Sequence, residues 1–237
     1  MRARSKGGTG NETETELALV ARESAANTAM RLTQKCTATK LSSWRWRTRI
    51  SRREKFVQDY HVPAEGVFET AEQFFARPRM ADAVLICTQD SQHYAYACQA
   101  IDLGYSILLE KPISPSVREC LDLQRRAEEK GTQIMVCHVM RYTKFYRKLK
   151  ELIDSGVIGD VVHVTHTENV AYWHYAHSYV RGNWHKTADS SPMILAKCCH
   201  DMDILSWLLG SRCRTVSSFG DLRYFREENA PAGSPAR

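Results

Sequence analysis

Residues 82–112 read DAVLICTQDSQHYAYACQAIDLGYSILLEKP, and the fold is decided here. Ala83 to Thr88 is a short unbroken apolar run, the pattern of a strand covered on both faces in a parallel sheet. Ser91 to Leu103 follows with Tyr94, Ala97, Cys98 and Ile101 at helical spacing, and Gly104 supplies a stop. Ser106 to Leu109 is a second apolar run. Strand, helix and strand at these lengths predict a right-handed βαβ unit.

Outward from this unit the alternation continues. Ser114 to Lys130 is expected to be a helix with a capping-box start at Ser116 and Glu119 and a stop at Gly131, and Gln133 to Cys137 a third strand. A further helix is expected over Thr143 to Ser155, ending at Gly156. Beyond it Val161 to Glu168 alternates like a strand with one covered face, Met193 to Leu209 reads as a mostly apolar helix, and Thr215 to Phe225 is strand-like. Upstream, Arg52 to Tyr60 reads as a helix end and Val67 to Phe75 as a short apolar pattern. Before Arg52 only a weak helical spacing through Leu17, Val20, Ala21, Met30 and Leu32 is visible. The expected fold is therefore α/β, a partial Rossmann-like parallel sheet whose first βαβ unit is missing or degenerate, followed by an incomplete α+β substrate domain. On this reading residues 1–51 are a weakly structured basic leader, 52–138 a partial dinucleotide-binding domain and 139–237 the substrate and dimerisation domain. One edge of Ala83 to Thr88 is expected to lack a neighbour, and Thr37 to Arg53 to be the first point of proteolysis.

The 237 residues are 43% hydrophobic and 25% charged, which excludes wholesale disorder, and no apolar run reaches the roughly 20 residues of a membrane helix. Eight Cys without C-x-x-C spacing read as reduced thiols of a cytoplasmic protein. The net charge of +6 is uneven: residues 1–55 carry 13 Lys/Arg against 5 Asp/Glu. Without interleaved aromatics or a fold signature this reads as a solvated leader rather than a nucleic-acid arm. No nucleic-acid or membrane partner is expected.

Ligands of open α/β sheets bind outside the carboxyl ends of the strands. Two such ends here are chemically distinctive. Thr88 to His93 is a small polar turn entering a helix, suited to a ribose or phosphate. Glu110-Lys111-Pro112 puts a lysine at a strand end, able to orient a hydroxyl or to form only a surface ion pair. Tyr172, Trp173, His174, Tyr175, His177, Tyr179 and Trp184 read equally as a sugar-binding wall or as loop packing. Adjacent residues on a helix diverge by about 100°, so Cys198-Cys199-His200 does not converge on one ion, and no metal is expected.

The stretch from Asp82 to Pro112, with Arg141-Tyr142, Gly156 through Gly159 and His200-Asp201-Met202-Asp203, resembles the Gfo/Idh/MocA family of NAD(P)-dependent oxidoreductases. The resemblance runs from roughly Arg52 to Phe225. It implies hydride transfer between NAD or NADP and a carbon bearing a sugar or polyol hydroxyl, in a protein that can be a homo-oligomer. It implies catalytic roles for Lys111, which positions the hydroxyl, and for His200, the general base. It implies cofactor contacts from Thr88, His93, Glu110, Lys111 and Pro112, and substrate contacts from Arg141, Trp173, Trp184, Lys197 and Asp203.

This chain departs from the family in three places. No G-x-G-x-x-G follows an amino-terminal strand, since Gly7, Gly8 and Gly10 follow none. Ala196, with Lys197 beside it, stands where many members have an Asp four residues before the histidine. The second sheet lacks its later strands. Impaired activity and weak cofactor binding are expected, with a catalytically silent relative as the alternative. The abrupt change at Arg52 further predicts that another reading frame upstream encodes a strand, a Gly-rich turn and a helix.

Overall fold

In the computed structural model the chain divides into two units, residues 1–137 and 138–237. The structure describes residues 17–21, 41–46, 57–58, 62 and 64–233. The first unit is built on six parallel strands: β1 (Leu17–Ala21), β2 (Leu41–Trp46), β3 (Val67–Phe68), β4 (Ala83–Cys87), β5 (Ser106–Leu109) and β6 (Ile134–Val136). Their order across the sheet is β3-β2-β1-β4-β5-β6. The chain order reverses between β1 and β4, which makes that boundary the topological switch point of a doubly wound fold.

Two expectations are corrected here. Leu17 to Ala21 is not part of a loose helix but the central strand, paired with β4 from Leu17 opposite Ala83 to Ala21 opposite Cys87. β4 therefore has neighbours on both edges, and the sheet is not missing its first strands. The physical reason is burial: Ala18, Leu19 and Val20 are all nearly solvent-free, as are Val84, Leu85 and Ile86 opposite them. Consecutive buried residues of both parities require cover on both faces, and a five-residue apolar run meets that need as a strand more readily than as a helix. The predicted helix end at Arg52 to Tyr60 lies outside the described residues except for Val57 and Gln58, which are helical. Thr37 to Arg53 lies outside them except for Leu41 to Trp46.

Helix α1 (Ala71–Phe75) is capped by Thr70, whose hydroxyl accepts from the Gln73 amide at 3.2 Å. Its Phe74 packs on Phe68 and Tyr105 with ring centroids 5.7 Å apart in each case. Helix α2 (His93–Asp102) turns Tyr96, Ala97, Ala100 and Ile101 to the sheet. After it Gly104, at φ 76°, takes the left-handed conformation that reverses the chain into β5. Helix α3 (Val117–Lys130) starts on Ser116, which accepts from the Glu119 amide at 3.4 Å. Glu119 does not close the expected reciprocal box; its carboxylate accepts from Ser114, whose hydroxyl oxygen also accepts from the Ser116 amide at 3.0 Å. Helices α2 and α3 are tied by Tyr94, which donates to Asp122 at 2.7 Å, while Arg125 and Arg126 hold the same carboxylate at 2.6 Å each.

The second unit holds α4 (Lys144–Asp154), the short α5 (Tyr172–Tyr175), which continues as a wider turn over Ala176–Val180, and α6 (Met193–Leu209). Helix α6 ends on Gly210 in the left-handed conformation. The expected strands at Val161 to Glu168 and Thr215 to Phe225 do not form, and no strand occurs among the described residues of this unit. Strands exist through ladder bonds to a partner, and neither segment has one. Val162 and Phe219 are accordingly almost fully exposed. Among the described residues no helix is long and apolar enough to cross a membrane.

Candidate functional site

One constellation lies at the carboxyl ends of β4 and β5 in the first unit, beside the switch point. The ladder carries on past β5 as the Glu110 amide donates to the Ile86 carbonyl at 2.9 Å, so Glu110 is still held by the sheet. The Lys111 amide donates to the Glu110 carboxylate at 3.1 Å, and the Lys111–Pro112 peptide is cis. His93 locks this turn to the one after β4. Its ring is 1% exposed, with Nδ1 2.7 Å from the Pro112 carbonyl and Nε2 3.3 Å from the Thr88 carbonyl. A neutral imidazole has one proton to donate, and the shorter contact assigns it to Nδ1. His93 thus stabilises the geometry of both turns from beneath.

Thr88 supplies the polar atom that the fold does not use. Its Oγ1 is buried and has no hydrogen-bond partner among the described residues. A buried hydroxyl left in this state costs about 1–3 kcal/mol, which marks the place of a water or a ligand group. A polar group of a bound dinucleotide would fit that atom. Below it, Cys87 and Cys137 are structural. Burial, then the Glu110 charge, pushes the Cys87 thiol well up and the Cys137 thiol up to about 12.

A separate constellation, within the second unit, is assembled on α6. His200 and Asp203 are three residues apart and share a face. Asp203 is gripped by Arg141, whose Nε donates to one carboxylate oxygen at 2.7 Å while Nη2 donates to the other. His138 lies 3.7 Å from the same carboxylate through Nε2, and its ring stands edge-on to His200 with centroids 6.1 Å apart. Trp207 forms a shelf one turn on, with the Arg141 and Lys150 cations each 5.9 Å from its centroid. On the neighbouring face Asp201 binds His166 Nε2 at 2.6 Å. The Cys198 thiol is raised by burial and then by Asp201.

The predicted residues thus fall into distinct groups. Glu110, Lys111, Pro112, Thr88 and His93 form one constellation, with His93 buried behind it. Arg141, Asp203 and His200 form another, in which Arg141 and Asp203 satisfy one another. Lys197 is half-buried on the same helix, and Ala196 is 4% exposed, leaving no carboxylate at that turn. The aromatic wall separates: Tyr175 stacks on Phe225 at 4.7 Å and Tyr179 packs near Trp184 at 6.3 Å, whereas Trp173 is 64% exposed. Sequence reasoning missed His138, although its position directly after β6 is the strand-end signal that found Lys111. It also missed the His166–Asp201 pair, for which no local signal exists.

A six-stranded doubly wound sheet with an open hydroxyl and a lysine turn at its switch point defines a dinucleotide-binding α/β protein. Comparison with known proteins makes this specific. Residues 16–138 match the oxidoreductase family with an NAD-binding Rossmann fold, and residues 146–233 match the GFO/IDH/MocA C-terminal domain. The chain belongs to the Gfo/Idh/MocA family. The match begins at residue 16 and so takes in β1. YteT of Bacillus subtilis (strain 168), an oxidoreductase by name, is 29% identical over 177 residues, 73% of this chain and 40% of that protein. An inositol 2-dehydrogenase of Pseudomonas savastanoi pv. phaseolicola is 29% identical over 156 residues, 65% of this chain and 43% of that protein. The crystal structure of myo-inositol 2-dehydrogenase from Lactobacillus plantarum superposes with a TM-score of 0.68 at 18% identity, covering 84% of this chain and 57% of that one. The chain therefore spans less than half the length of these two curated relatives.

Proposed function

We propose that this chain carries the nicotinamide end of an NAD(P)-dependent sugar or polyol oxidoreductase and lacks most of the anchor for the rest of the cofactor. The observation that carries the proposal is the buried Thr88 hydroxyl, without a partner among the described residues, beside Glu110-Lys111-Pro112 at the switch point. Thr88 and the backbone of the Glu110 to Pro112 turn would hold the cofactor's ring end, and a bound nicotinamide supplies the hydride acceptor. Lys111 orients the substrate hydroxyl through its ammonium group. His200 takes the hydroxyl proton on its imidazole, which can accept a proton at one ring nitrogen. Asp203, on the same helix face, is paired with Arg141 and so adds no free negative charge there. Inositol-type substrates are supported by the name of the Pseudomonas relative.

A second reading, a catalytically silent relative, is favoured by one feature: residues 22–40 contain no glycine, so no backbone cradle for a pyrophosphate is encoded after β1. An assay of NAD and NADP reduction over a panel of polyols separates the two. On the first reading Lys111→Ala and His200→Ala each lower turnover about 10²–10⁴-fold, while Lys197→Ala has a smaller effect. Unchanged turnover in both main variants contradicts the assigned roles, and no turnover with any polyol favours the silent relative.

A further inference from the structure

β2 is the misfit of the sheet. It lies between β1 and β3, inside an all-parallel sheet where doubly covered strands are apolar. Its neighbours β1 and β3 read LALVA and VF, and β4 and β5 beyond β1 read AVLIC and SILL, yet β2 reads LSSWRW. Arg45 occupies the register position opposite Val20 on one side and Phe68 on the other. The glycines that such a fold needs directly after β1 are also missing. Both defects fall within residues 21–50, whereas the spacing of β1 from β2 is right for a crossover. Correct length with wrong chemistry between well-formed flanks is the mark of two compensating changes of reading frame.

We propose that residues from about 21 to about 50 are translated out of frame, and that the frame joining the third base of each codon to the first two of the next encodes a pyrophosphate- and ribose-binding crossover on this sheet. The proposal shares with the proposed function only the premise that a dinucleotide binds at this switch point.

The genetic code makes part of this obligatory. Trp has the single codon TGG. In the displaced frame the Ser43–Trp44 and Arg45–Trp46 junctions each read any base followed by TG, which is always Leu, Met or Val. The Trp44–Arg45 and Trp46–Arg47 junctions read GCG or GAG, always Ala or Glu. Whatever codons are used, the WRWR segment becomes aliphatic residues alternating with Ala or Glu, a strand pattern at the place where β2 lies. In the remaining frame both Trp–Arg junctions are forced to Gly, which weakens a strand there.

The rest is permitted in the required places. The Arg47–Thr48 junction reads any base followed by AC, which includes Asp, the residue that a ribose requires just after the second strand. Upstream, the Val20–Ala21, Arg22–Glu23 and Ala25–Ala26 junctions all admit Gly. Their spacing is G-x-G-x-x-G immediately after β1, with the acidic position about twenty residues on. No junction between them forces a stop. The strand expected in another frame is thus β1 in the present one; only the turn, the helix and β2 belong to the displaced frame.

The test is to read the coding DNA and to make the restored protein. The displaced frame should run open from Val20 to Arg49, with Gly codons at those three junctions and Asp at Arg47–Thr48. A stop codon within it, or the absence of Gly at the first two junctions, overturns the proposal. A chain carrying the displaced-frame residues from 21 to 50 should bind NADH in a fluorescence titration about a hundredfold more tightly than the present chain, as expected from two added charge-assisted hydrogen bonds. Equal affinity also overturns it. NADH binding by the restored chain without turnover of any polyol would count against the proposed function and leave this inference standing.

Discussion

The two flanks of β1 make an instructive contrast. On one side β4 pairs with it over five residues, buries Val84, Leu85 and Ile86, and delivers Thr88 to the switch point. On the other side β2 pairs with it over a similar length, but reads LSSWRW, with Arg45 in register with Val20. Backbone register survives on both flanks while side-chain chemistry survives on one. The fold of a doubly wound domain is thus specified redundantly, by neighbouring strands and crossover lengths, whereas its ligand chemistry rests on a few positions that nothing else supplies.

Equivalent substitutions on the two flanks give the sharpest test. Ile86→Ala, at a site with no solvent exposure, is expected to cost about 2–5 kcal/mol in urea unfolding. Arg45→Val, at the matching place in β2, is expected to be neutral or stabilising. Equal losses would break the contrast. His93→Ala should cost about 1–3 kcal/mol by leaving the Pro112 carbonyl without its buried donor. It should also weaken any residual NADH binding; an effect on stability alone would confine His93 to packing.

Thiol reactivity reads the intact flank directly. With the Cys137 thiol pushed up to about 12, and Cys87 raised as well, neither is expected to alkylate at pH 8 in the folded chain, whereas exposed Cys213 should react. Labelling of Cys137 at the rate of Cys213 would mean that β6 does not close over β5. The smallest effect is at the α2–α3 tie. The Tyr94 hydrogen bond, then Arg126 and Arg125, holds Asp122 well below the usual carboxylate range, so its contribution is complete above about pH 4 and fades as pH falls further. Tyr94 is raised to about 12 by Asp122, so its share is present below about pH 10 and lost as pH rises through 12. The melting-temperature difference between the wild type and Tyr94→Phe should therefore be flat across neutrality and shrink at both extremes. A difference that grows in acid would contradict this tie.

What the sequence disclosed follows the same division. From Ala83 to Val136 each strand and helix is signalled by its own residues, and every boundary falls within a few positions of its expected place. Met193 to Leu209 was legible for the same reason. β1 was hidden because five apolar residues between charged neighbours fit a helix period as well as a strand, and only the strand opposite resolves them. Val161 to Glu168 misled in the other direction: alternation is necessary for a half-covered strand, but a partner must exist. Thr88 and Lys111 were found because strand ends can be located from sequence. The Arg141–Asp203 clamp and the His166–Asp201 pair join residues 62 and 35 positions apart, and their geometry is set by packing in the second unit.

Titration of the purified chain with NADH, followed by nicotinamide fluorescence, tests the central claim most directly. A chain that keeps Thr88 and Glu110-Lys111-Pro112 but encodes no glycine between β1 and β2 should show no saturable binding in the low micromolar range. Saturation there would contradict the account, because the cofactor would then be anchored without the backbone cradle that its pyrophosphate is argued to need.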